Sequence, residues 1–229
     1  PAEAVKTYDR ALGHIVPSEG LKLLLAQAVS MAKDYVRAVA VYDELLKQSD
    51  PALNAVDSVS DRSIAARMQY EDLVRTSTLY NMLGDLYYQA KDMPAAFRAY
   101  ENALSFLPDN AMVLNNYAYF LAEEGGDIEK AYGMGKRAVE IDPENPTFLD
   151  TYAWILFKKG DFENALTYQQ AAVEKSEAEG DISAELYSHF GDILFRNGRR
   201  EDAIEYWKKA LELSPDDEGL QTKVKSGTM

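Results

Sequence analysis

The chain has 229 residues, 47% of them hydrophobic, a formal net charge of −14 and no cysteine. Acidity of that size excludes nucleic-acid phosphates and anionic membrane surfaces as partners, since both call for basic surface. The missing thiols exclude disulfides, thiolate nucleophiles and thiolate metal sites, and no apolar run is long enough to insert into a membrane.

The opening residues PAEAVKTYDR have neither the basic start nor the apolar block of a signal peptide. They begin without Met and inside an amphipathic pattern, so the chain is expected to be a fragment of a longer protein. A period of thirty-four residues runs through the sequence, clearest from Ser77 to Asn110, whose residues define offsets 1 to 34. Ala4, Tyr8 and Ala11 match offsets 20, 24 and 27, which makes residues 3–18 a half-repeat, the second helix of a pair. Residues 19–52 form a fuller unit with Leu25, Ala26, Val29, Ala38, Tyr42 and Leu45 in register, and with Lys22 where an aromatic stands elsewhere.

The register breaks over residues 53–76. Its polar Asp and Ser clusters favour caps and turns, which predicts a loop near residues 50–62. The helix formers after that loop either lengthen the next first helix at its N-terminus or make a separate short helix. In the unit 77–110, Tyr80, Leu83, Gly84 and Tyr87 make one apolar stripe, since residues three and four apart share a helix face. Gly84 and Ala96 are small enough to let two helices approach, and Pro108 closes the unit.

The unit 111–145 carries Leu114, Tyr117, Ala118, Leu121, Ala131, Ala138 and Pro143, with one extra residue at EEGGDIEK. Its second helix holds two interior glycines, Gly133 and Gly135, each costing about 1 kcal/mol relative to Ala. Either a large neighbour such as Phe148 or Tyr152 needs the room, or the helix is a soft joint. The unit 146–183 has Leu149, Tyr152, Ala153, Leu156, Ala165 and Ala172 but no closing Pro, so its second helix is expected to reach about Ala178 before Gly180 stops it. The last unit, 184–217, has Tyr187, Phe190, Gly191, Leu194, Ala203, Trp207, Ala210 and Pro215, and residues 218–229 read as a capping helix and tail.

Aromatic, Leu-Gly, aromatic, Ala, aromatic, Ala and Pro in this order resemble the tetratricopeptide-repeat signature. The phrases LNNYAYFLAEEGGDIEKA and LDTYAWILFKKGDFENAL look like those of bacterial members, many from cell envelopes. The resemblance implies an all-α, right-handed superhelical solenoid of antiparallel helix pairs, a single array over residues 1–229. It also implies a bacterial origin, in the cytoplasm or the cell envelope, with the envelope preferred.

No catalytic constellation stands out. His14 and His189 are the two histidines and have no ligand spacing around them, so no metal or cofactor is expected. In proteins similar to this one, first helices line a concave face and present offsets 2, 5, 9, 12 and 13. Carried onto this chain, that face shows Asn81, Asp85 and Tyr88, then Asn115, Tyr119 and Glu123. It continues with Asp150, Trp154, Phe157 and Lys158, and ends with Asp192, Phe195 and Arg196. These aromatics either anchor a peptide or partner helix, or pack within a tight superhelix and leave no groove. The Lys and Arg slots of the carboxylate-clamp sub-class are not filled, and the acids favour a basic or apolar ligand. The function expected is a non-catalytic scaffold for a protein or peptide partner. The alternatives are a self-assembling element that forms homo-oligomers through its ends, or a regulatory segment of a larger multidomain protein.

Overall fold

The computed structural model describes residues 5–6, 18–48 and 62–229, and the regular elements among them are all α-helices. They are α1 (Glu19–Met31), α2 (Tyr35–Gln48), α3 (Arg62–Gln89), α4 (Met93–Phe106), α5 (Ala111–Glu123) and α6 (Ile128–Ile141). Next come α7 (Pro146–Lys159), α8 (Phe162–Glu179), α9 (Ala184–Arg196), α10 (Arg200–Leu213) and α11 (Glu218–Ser226). The half-repeat expected over 3–18, with His14, and the loop expected near 50–62 fall almost entirely outside the described residues.

Helix starts obey the chemistry of their caps. Ser18, Asp92, Asp127, Asn145, Asp161, Ser183 and Asp217 each accept a backbone N–H from the first turn of the helix they open. Each satisfies at least one of the donors a helix start leaves orphaned, and Asp127 and Asn145 satisfy two; a cap is worth about 1 kcal/mol. The helix α3 runs unbroken for 28 residues, so the stretch before Ser77 extends a first helix instead of forming a separate one. At the other exception to the period, α8 continues to Glu179, where Gly180 ends it with a left-handed φ of 74°.

The chain divides into two compact units, one of residues up to Val113 and one from Leu114 onward. In the first, Leu25, Val29, Tyr42, Leu45, Leu79, Leu83 and Leu86 form a buried cluster from α1, α2 and α3. Lys22 is buried within this unit and donates to Glu44 at 2.5 Å, which satisfies the charge the sequence places at an aromatic position. In the second unit α7 is central. It is buried from Phe148 to Phe157 except for half-buried Asp150, as expected of a helix apolar nearly all round.

In the four helix pairs from Ser77 onward the residue at offset 8 is matched to the one at offset 24. A Cβ on Gly84 would stand 2.5 Å from the Tyr100 ring, and one on Gly191 would stand 2.4 Å from the Trp207 ring. Where offset 24 is Gly135 or Gln169, offset 8 is instead the fully buried Ala118 or Ala153. The room at Gly135 is taken by Ile155 and Tyr152, which lie 2.9 and 3.4 Å from where its Cβ would be, so close packing accounts for that glycine.

Candidate partner-binding site

In the first unit, the expected face residues lie on the later turns of α3. Asn81 is buried, Tyr88 is half-buried with Lys91 5.3 Å from its ring, and Asp85 accepts from the Tyr100 hydroxyl at 2.5 Å. Asp85 also borders a shallow cavity of about 370 Å³ with Gln27, Tyr42 and Gln89.

The second unit brings three first helices together. Asn115, Tyr119 and Glu123 recur every fourth residue along α5, and Asp150, Trp154 and Lys158 do so along α7. On α9 the corresponding stripe is Glu185, His189 and Asp192. These stripes meet at a cavity of about 480 Å³ lined by Tyr119, Glu123, Trp154, Glu185, Ser188, His189 and Asp192, with Leu220 and Lys223 of α11 along one side.

Aromatic stacking forms the floor. Trp154 stacks with Phe157, 4.8 Å away with planes 9° apart, and with His189, 4.0 Å away with planes 14° apart. Trp154 and Phe157 are therefore 8% and 9% exposed. Of the two arrangements open to the face aromatics, these two rings pack against their neighbours, with α9 placing an imidazole on the indole face. Phe195 is half-buried with its ring 5.8 Å from that of Trp207, and exposed Arg196 lies 4.3 Å from the Phe162 ring. Asn115 is buried and donates to Asn116 at 3.2 Å.

The acids on this face already have partners. Glu123 accepts the Trp154 indole N–H at 2.6 Å and pairs with Lys158 at 3.0 Å. Burial works against its charge, but the indole and Lys158 outweigh burial and hold it below the ordinary 4.5. Asp150 accepts from Gln169 at 2.6 Å and lies 3.2 Å from Nδ1 of His189. Asp192, 5% exposed, accepts the Trp207 indole N–H at 2.9 Å and two bonds of 2.7 Å from Lys223. Tyr119 donates its hydroxyl to Glu185, and burial together with that bond pushes the phenol well above its usual range. For His189 burial favours the neutral ring, but the Asp150 charge and hydrogen bond, aided by Glu185 and Asp192, raise it above 6.5.

Glu185, His189 and Lys223 are not among the expected face residues. Glu185 occupies offset 2 of the last unit, a face position, so its signal is present in the sequence. His189 falls at offset 6, off the expected series, and Lys223 comes from the capping helix, which no repeat register reaches. Among the described residues no cluster of three His, Asp or Glu side chains is arranged to hold a metal ion, and no helix is long and apolar enough to cross a membrane.

A sequence model of the tetratricopeptide repeat matches residues 42–216. None of the curated proteins matches the sequence. Solved structures resemble the fold at low identity. A thermophilic TPR protein of Thermus thermophilus is 15% identical, with a TM-score of 0.64 over 92% of this chain and 98% of its own. PilW, a widely conserved type IV pilus biogenesis factor, is 20% identical, with a TM-score of 0.67 over 92% of this chain and 87% of its own. YrrB, a TPR protein with an unusual peptide-binding site, is 20% identical, with a TM-score of 0.56 over 97% of this chain and all of its own.

Proposed function

The chain belongs to the tetratricopeptide-repeat family, and we propose that it is a non-catalytic scaffold that holds an extended peptide or a partner helix along its first-helix face. The observation that carries this reading is the convergence of α5, α7 and α9 on one cavity of about 480 Å³. A space of that size, lined by polar and aromatic groups, seats one side chain of a partner as an anchor. Tyr119, Glu123, Asp150, Trp154, Phe157, Lys158 and Asp192 act there mostly as a preorganised support. Stacking and ion pairing already hold them, so a partner orders few side chains on binding. Phe195 and Arg196 are assigned to further contacts of the partner on the second unit, and Asp85 and Tyr88 to a contact surface of the first; Asn81 and Asn115 are buried and support the helices that carry them. A bacterial cell-envelope location is the reading we take, in keeping with the likeness to PilW.

Affinity capture from the native host tests this with three baits. Ser188 is half-buried at the cavity wall, so Ser188→Arg fills the space, whereas Glu140→Lys changes an exposed position on α6. Both variants are first checked for helicity by circular dichroism. A partner caught by the unaltered chain and by Glu140→Lys, and lost by Ser188→Arg, supports the scaffold. A partner kept equally by all three moves the site off this face.

A further inference from the structure

Glu185, His189 and Asp192 sit on one face of α9 at spacings of four and seven, and all three border the cavity. His189 is 6% exposed. Its Nδ1 is engaged by Asp150, and among the described residues its second nitrogen has no partner. Glu185 accepts the Tyr119 hydroxyl, and among those residues no Lys or Arg pairs with it. A third observation shows what the space accepts. The ammonium of Lys223 already reaches in and holds both oxygens of Asp192 at 2.7 Å.

Resting on the scaffold reading, we infer that this cavity takes the basic side chain of a partner, its cation held by the Glu185 carboxylate and the free nitrogen of His189. Trp154 is buried and already stacked on Phe157 and His189, with Lys158 5.1 Å from its ring centre, so recognition comes from charge and hydrogen bonding at the cavity wall and not from an aromatic cage. In the neutral ring Nδ1–H donates to Asp150, leaving the Nε2 lone pair to accept an N–H from the guest. In the imidazolium form Nε2 carries a proton and the ring charge opposes the incoming cation.

Binding is therefore linked to proton release from His189. The groups that face the ring are Glu185 and Asp192 on its own helix, Asp150 on α7, and Tyr119 and Glu123 on α5, with Lys223 of α11 facing it across Asp192. Only the imidazole has an ordinary value near neutrality.

The test tracks the ring protons of His189 by NMR, which is practical in a chain with two histidines. The full chain is titrated with the capped pentapeptide acetyl-AAKAA-amide, and with counterparts carrying norleucine or glutamate at the centre. The lysine peptide is expected to give a saturable shift and to bind about tenfold tighter than either counterpart at pH 8. The preference should shrink to about twofold or less near pH 6. Glu185→Gln, whose amide oxygen still accepts from Tyr119, is expected to abolish it.

Equal binding of the three peptides, absence of any saturable shift, or tighter lysine binding at the lower pH would overturn the inference. The two proposals fail separately. A partner lost by Ser188→Arg alongside indifference to lysine leaves the scaffold standing and removes the basic guest. A lysine-selective shift with no capture at the Ser188 face removes the scaffold and keeps the cation site.

Discussion

The imidazole of His189 lies face to face with the indole of Trp154, ring centres 4.0 Å apart, while its Nδ1 is held by Asp150 at 3.2 Å. A carboxylate on one edge and a π face below both favour the imidazolium. The folded chain thus binds the His189 proton more tightly than the unfolded chain does. The resulting stability is fully present below the unfolded value near 6.5 and is lost as pH rises through the higher folded value. Thermal melts between pH 5 and about 9 should show the unaltered chain losing an increment over His189→Gln as pH rises. Parallel curves for the two proteins would contradict that.

Two glycines should respond in opposite directions to the same change. Gly133 on α6 has open space where a Cβ would go, so Gly133→Ala should stabilise by about 1 kcal/mol through helix propensity alone. At Gly191 the new Cβ would meet the Trp207 indole at 2.4 Å, and that side chain is fully buried. Gly191→Ala should therefore destabilise by about 1 to 3 kcal/mol, an overpacking cost. Urea denaturation of both variants measures the difference.

Lys223 holds α11 against α9 through Asp192, which is 5% exposed. Lys223→Met removes the ammonium and leaves a buried carboxylate held by the Trp207 indole N–H. A loss of about 2 to 3 kcal/mol is expected, together with faster hydrogen exchange in α11. Asp192→Asn in the Lys223→Met background should recover part of the loss, because the stranded charge is gone.

Much of the fold was legible because each repeat position has one physical job. Ala96, Ala131, Ala165 and Ala203 share offset 20, and all are fully buried. The exceptions could be read as well: no closing Pro stands after α8, and it runs on to Gly180. The face that carries the site could be read only in part. Periodicity says which side of α7 Trp154 and Phe157 occupy, but not that His189, thirty-five residues after Trp154, covers the indole. It likewise presents Asp192 as an open acid, whereas Lys223 arrives from a helix beyond the last repeat. Contacts between helices that are distant in sequence leave no trace in the spacing of either one.

The most direct measurement of the central claim is selection of a displayed random-peptide library on the immobilised chain, run in parallel on Ser188→Arg. A basic-residue site at the cavity should yield one family of peptides that aligns on a basic residue, enriched on the unaltered chain and absent from the variant. Equal enrichment on both, or none on either, would contradict a partner site at the cavity between α5, α7 and α9.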